Sequence, residues 1–240
     1  MAIAYLPIDI DVQLPDEKTL INYCEEFKIT RFETEVDGVR YWDIAPVVAR
    51  IPSEDWYDRN KLKDVIYNRY NPGLGPQIWA NNIDKIMPEV PYMLNQLPFK
   101  ELTGVSFMLQ TEYVPHHLDP HEGDVYIDPS EITIDIEPHR YNIQMTQYGK
   151  PAFFVSSSAN GEKIYPNITK EQPCFAFCER YHWHGSEYVG PNKIQLSVFG
   201  ILDREKHKEM IRKNLEKYRD RAIIFPDPAD PTDLAYHFDY

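Results

Sequence analysis

Lys193-Ile-Gln-Leu-Ser-Val-Phe-Gly-Ile-Leu202 is the stretch whose reading decides the fold class. It reads as a β-strand, with Lys193 and Ser197 on one face because residues an even number apart point the same way along a strand. It closes a series of short β-rich runs that, followed backwards, cover 174–178, 152–156, 141–148, 132–137 and 105–113. Many short strands divided by turn signals predict a barrel or sandwich.

Before Glu101 the texture is mixed. Residues 2–12 predict a strand, and Pro15-Asp16-Glu17 ahead of Leu20, Ile21 and Cys24 marks a helix start. Residues 30–45 predict a hairpin turning at Asp37-Gly38, a dipeptide suited to the positive φ of tight hairpin turns. Two helices should follow, one capped at Ser53 and running over about 53–70, the other over about 81–95 with a kink at Pro88 or Pro91. After the β runs come a helix over about 204–218 and a Pro- and Asp-rich tail, from Phe225 onward, that packs on the surface or moves. The organisation expected is one domain over 1–240, with a mixed N-terminal part to about residue 100, a β core over about 101–203, and a helix and acidic tail over 204–240.

Composition is that of a folded chain, with 42% hydrophobic and 13% aromatic residues. A net charge of −13 opposes extended contact with duplex nucleic acid, which needs clustered Lys and Arg. The basic residues gather in 204–221 among interleaved acids and read as a solvated helix face. Residues 1–7 lack the basic flank of a signal peptide, and no stretch approaches the roughly 18 apolar residues of a membrane span, so a cytoplasmic protein without a membrane partner is expected. Cys24, Cys174 and Cys178 show no zinc-type pairing and read as buried reduced thiols.

Six of the eight histidines lie between His116 and His184. Within Val114-Pro-His-His-Leu-Asp-Pro-His121, His117 and Asp119 stand two apart, so an extended backbone presents an imidazole and a carboxylate to one ion. Tyr181-His-Trp-His-Gly185 offers His182 and His184, again two apart, for a third position. Two histidines and one carboxylate leave open sites, the arrangement of non-haem Fe(II) that binds a co-substrate and dioxygen together, whereas zinc more typically takes a closed tetrahedral set. A lone His-x-Asp pair is commonly a surface hydrogen bond, and His116 and His121 read as loop histidines outside the ligand set. The order of parts carries the signal: strand, His-x-Asp, β segments, distal His, and a strand bearing Lys193 and Ser197.

In that order the chain resembles the Fe(II)/2-oxoglutarate-dependent oxygenases over roughly 105–203, nearest to the aspartyl/asparaginyl β-hydroxylase-like group, with the prolyl-hydroxylase-like enzymes second. The resemblance implies a double-stranded β-helix (jelly-roll, cupin-like) core, iron on His117, Asp119 and His184 with His182 as the alternative, and dioxygen and 2-oxoglutarate as co-substrates. It implies a basic anchor for the far carboxylate of 2-oxoglutarate, either Lys193 assisted by Ser197, or Arg140 in Arg140-x-Asn142. Tyr113 is a further candidate contact, and Gln144, Trp183 and Glu187 lie beside the ligand segments. The implied reaction is hydroxylation of an amino-acid side chain, peptidyl or free, or of a small metabolite. Asp119 argues against a halogenase, which needs a small residue there. Residues 120–137 form an insertion relative to the group, and Glu122, Asp124 and Asp128 in it would bias an entrance toward cationic substrates, an idea that charge reversal without effect on substrate affinity would remove. Two alternatives stay open: a cupin-like metalloenzyme without 2-oxoglutarate, indifferent to loss of Lys193 and Arg140, and a non-catalytic β-rich binding or structural module.

Overall fold

The computed structural model describes residues 2–29, 35–36, 39–50, 77–118, 140–179 and 182–225. The chain opens with strand β1 (Ala2–Pro7) and helix α1 (Glu17–Phe27), followed by the small hairpin β2 (Glu35–Val36) and β3 (Val39–Arg40). Strands β4 (Trp42–Pro46), β5 (Val48–Arg50) and β6 (Gln77–Trp79) lead to a 3-10 turn and the short helices α2 (Ile83–Ile86) and α3 (Glu89–Leu94). The long β7 (Phe99–Gln110) then starts a run of strands, β8 (Val114–His117), β9 (Arg140–Gln144), β10 (Phe153–Ser156) and β11 (Cys174–Phe177). It continues through β12 (Trp183–Ser186) and β13 (Ile194–Leu202) to helix α4 (Arg204–Tyr218) and a last strand, β14 (Ile223–Phe225). The fold is mainly β with flanking helices.

Two antiparallel sheets carry it. One has seven strands in the order β14-β1-β11-β9-β13-β7-β4, the other three in the order β10-β12-β8. From β7 to β13 the chain changes sheet with every strand, and an isolated bridge between Val155 and Ile164 lengthens the smaller sheet beyond β10. The expected β core therefore reaches further than 101–203, because β1 and β4 from the N-terminal part and β14 from the tail are strands of its larger sheet.

Strand alternation sorts the two faces of that sheet. Val105, Phe107, Tyr141, Ile143, Leu196 and Val198 face the helices and join Leu20, Tyr23, Val90, Met93 and Ile211 in the main core. The opposite face looks into the space beneath the smaller sheet, where Tyr5, Phe175 and Phe177 meet Phe153 and Val155. The helix ends follow their sequence signals. The Asp16 carboxylate accepts from Thr19 N at 2.9 Å and starts α1, whose Tyr23 hydroxyl donates to Pro46 O at 2.6 Å. Met87 and Pro88 separate α2 from α3, at one of the two prolines expected to interrupt that helix; Pro91 sits in the first turn of α3, where a missing N–H costs little.

Helix α4 spans the residues expected, but it is not solvated all round. His207, Ile211 and Asn214 are buried, the Tyr141 hydroxyl lies 2.8 Å from His207 Nδ1, and Asp9 N donates to Asn214 Oδ1 at 2.7 Å. All three cysteines are buried and free, and burial pushes the Cys24 thiol up to about 12. Val36 and Val39 pair as the expected hairpin requires, while Asp37-Gly38, the helix expected over 53–70, the run 132–137 and the tail after Phe225 lie outside the described residues. Phe225 itself is buried in β14. No helix among the described residues is long and apolar enough to cross a membrane.

Candidate metal centre

β12 is the middle strand of the smaller sheet, and its pairing with β8 sets His184 directly opposite His117. The ring centroids are 4.2 Å apart and both residues are buried. The register then slips: His184 pairs with His117, but Ser186, two residues on, pairs with Val114, three residues back. β8 thus holds one extra residue, a bulge in the segment with Pro115, which has no N–H to offer the ladder. The bulge keeps His117 beside His184 and turns His116 onto the ring of Phe154, 4.7 Å away. Gly185 lets the strands close up, since a Cβ there would stand 2.6 Å from Val114 O and 2.7 Å from Pro115 O.

Both facing rings are oriented from behind. His117 Nδ1 lies 2.9 Å from Pro115 O, and His184 Nδ1 lies 3.2 Å from His182 O. A carbonyl only accepts, so Nδ1 is the donor in each contact, and Nε2 is the nitrogen through which either ring would bind a metal. The aromatic rings of Phe177 and Phe153 stand 5.0 Å and 6.4 Å from that of His184 and keep this side apolar. His182 is placed differently. Its ring packs on Phe225 at 5.2 Å, neither nitrogen has a hydrogen-bond partner among the described residues, and burial pushes it down to about 4.

Asp119 and His121 lie outside the described residues, as do 120–137 with Glu122, Asp124 and Asp128. Among the described residues no group of three or more His, Cys, Asp or Glu stands together. Among the described residues the histidine pair is the candidate donor set, and its chemistry fits a divalent transition metal.

The larger sheet turns a second set of polar side chains toward the smaller one. Arg140 Nη2 donates to Ser197 Oγ at 3.3 Å, and Arg140 Nε lies 3.9 Å from Glu179 Oε2. Its guanidinium sits 4.2 Å from the centroid of the Phe199 ring and 5.5 Å from that of Phe177, the ring that also abuts His184. Asn142, opposite Ser197 in the register, is buried, and its Oδ1 has no hydrogen-bond partner among the described residues. Ser197 thus joins the Arg140 group rather than Lys193.

Lys193 lies at the other end of that face. It is 4% exposed; Nζ donates to Gln110 Oε1 at 2.6 Å and, more closely, to Ser186 Oγ, and burial pushes the amine down to about 7 against the opposing attraction of Glu187. Ser186 stands two residues beyond His184 on β12, so the ammonium is held one strand step from the histidine pair.

The remaining expected residues stand elsewhere. Tyr113 is exposed, with its hydroxyl 3.3 Å from Lys163 Nζ, in an outward cluster where Lys163 pairs with Glu187 at 2.7 Å and the Tyr165 hydroxyl donates to Glu187 at 2.8 Å. Neither Tyr113 nor Glu187 joins the histidine pair in that cluster. Trp183 is buried on the face of β12 opposite His184, and Gln144 donates to Thr146 O at 2.6 Å. Gln110, Ser186, Phe177 and Glu179 were not singled out by the sequence reading; a glutamine at the end of a β-rich run was the only local signal for any of them.

Comparison with known proteins matches this chain to no family model, no curated protein and no solved structure.

Proposed function

We propose that this protein is an Fe(II)- and 2-oxoglutarate-dependent oxygenase that hydroxylates an amino-acid side chain or a small metabolite. The observation that carries the reading is the pair His117 and His184, set opposite each other on neighbouring strands with both Nδ1 atoms committed to backbone carbonyls. Metal-ligating histidines almost always donate their other ring N–H to a carbonyl, carboxylate or water, and both Nδ1 atoms are so engaged here. The strand-by-strand alternation between two sheets from β7 to β13 supports a double-stranded β-helix core, in which the first and last ligand segments lie side by side.

In this reading His117, His184 and Asp119 would hold the iron, which when bound would supply oxidative decarboxylation of 2-oxoglutarate by dioxygen, one oxygen atom entering succinate as carbon dioxide leaves and the other entering a substrate C–H bond. Lys193 takes the far carboxylate of 2-oxoglutarate, with Ser186 and Gln110 fixing the ammonium. Phe153 and Phe177 exclude water beside His184, which strengthens each electrostatic contact made there. Arg140 and Ser197, already joined to each other and to Glu179, form the polar wall opposite.

The test is succinate formation from 2-oxoglutarate in air. The wild-type chain should form it only with Fe(II) added, and His117→Ala should reduce it at least about 100-fold, in line with loss of a metal ligand. Metal-independent or absent succinate formation, in the presence of extracts rich in amino acids and peptides as substrates, would overturn the proposal.

A further inference from the structure

Gln110, the last residue of β7, belongs to no motif, yet it makes five side-chain hydrogen bonds. Its Nε2 shares two N–H groups among three backbone carbonyls, Glu112 O at 2.7 Å, Ser186 O at 3.1 Å and Glu187 O at 3.2 Å. The orientation of the amide follows, because a flip would set its oxygen against three acceptors. Oε1 is thereby aimed at Lys193 Nζ, 2.6 Å away, and at the Ser186 hydroxyl, 3.0 Å away. Main-chain pairing adds to the clamp, with Gln110 N donating to Lys193 O at 3.0 Å.

The company this gives Lys193 is unusual for a buried cation. Both acceptors are neutral, the third Nζ–H has no partner among the described residues, and no carboxylate there forms an ion pair with it. Glu187, the nearest source of attraction, is committed to Lys163 and Tyr165. Arg140 differs in having the Glu179 carboxylate beside it. Buried charges ordinarily have a counter-charge.

We infer that Gln110 is the positioning residue for Lys193: it holds the ammonium beside the His184 strand without neutralising it, so that the counter-charge must come from the carboxylate of a bound ligand. This rests on the reading of Lys193 as the 2-oxoglutarate anchor. A glutamate in place of Gln110 would fill that role permanently and shut the ligand out; an apolar residue of equal length would leave the ammonium loose.

The experiment compares full-length wild type, Gln110→Glu, Gln110→Met and Lys193→Met by calorimetric titration with 2-oxoglutarate. In parallel, NMR of 13Cε-labelled lysine, with the resonance assigned by its loss in Lys193→Met, follows the titration of Lys193. Gln110→Glu should weaken 2-oxoglutarate at least about 30-fold and move the Lys193 midpoint up by more than about one pH unit. Gln110→Met should weaken it only about 5-fold and move the midpoint down, because an acceptor is lost. Both variants lose the Nε2 bonds, so damage from that source would move the midpoints the same way, and opposite movements isolate the positioning role. Unmoved or parallel midpoints overturn the inference. Wild-type protein that fails to bind 2-oxoglutarate while the midpoints still diverge overturns the anchor reading and leaves the part of Gln110 supported.

Discussion

His182 and His184 are the same side chain two positions apart, and only their surroundings tell them apart. Spacing alone offered both as partners for His117; the register of β12 against β8 separates them, and register is a long-range property that a local reading lacks. The proposed anchor residues divide similarly. Lys193 was picked out as a candidate by its distance to the histidines, but its hydrogen bond to Gln110 was not legible, since the two are 83 positions apart and only the fold joins them. Lys193 also gives a pH signature. Its folded-state pKa of about 7 lies below the 10.5 of an unburied lysine, so between those values the unfolded chain holds a proton the folded chain lacks, and this group makes stability rise with pH across that window. A carboxylate ligand prefers the protonated ammonium. Affinity for 2-oxoglutarate should therefore be full below about pH 7 and fall by up to about tenfold per unit above it, until the raised pKa of the complex is passed. Calorimetric titration from about pH 7 to about pH 9 reads this slope. Lys193→Met, which leaves His117, His184 and Glu187 in place, should bind weakly with no such slope, and a flat wild-type profile would contradict the assignment.

At the scale of elements, the strands that build the site were the ones hardest to read. β8 and β12 are four residues each and carry Pro115, Gly185 and three histidines, none of which favours a strand. The apolar runs β11 and β13 were legible to within one residue of their ends, and β7 was found but starts six residues before the expected Val105; α1 and α4 were legible with their aspartate caps. What makes β8 and β12 strands is tertiary: a bulge that accommodates the proline and a glycine that lets the β8 backbone and the Phe154 ring approach. Gly185→Ala is the corresponding test. With Val114 O and Pro115 O under 3 Å from the added methyl, β8 must shift away from β12, costing about 2–3 kcal/mol of unfolding free energy in a urea titration. Because the shift separates His117 from His184, Fe(II) affinity should fall as well. A variant as stable as wild type would mean that β8 is not held where the histidine pairing requires.

Over the whole molecule, strands from the mixed N-terminal part and from beyond residue 203 share one sheet with the strands of the β core. β1 lies between β11 and β14, and its Tyr5 packs on Phe175 and Phe153 in the space beneath the smaller sheet. The sequence could suggest that residues 2–12 form a strand, but no local pattern says that this strand pairs with one 170 residues later. A fragment covering 99–203 lacks β1, β4, β14 and the helices that cover Tyr141 and Val198, and leaves a large apolar face open. It should not unfold cooperatively by circular dichroism, whereas the full chain should. A fragment with a sharp thermal transition would show that 99–203 folds without the flanking strands and helices.

His117 and His184 are proposed to bind one iron to which 2-oxoglutarate chelates. Anaerobic addition of Fe(II) and then 2-oxoglutarate tests it most directly, through the weak visible charge-transfer band of the chelate. The band should form with wild type and with His182→Ala, and be lost in His117→Ala and His184→Ala. No band with wild type, or a band that survives His184→Ala and vanishes with His182→Ala, would contradict the account.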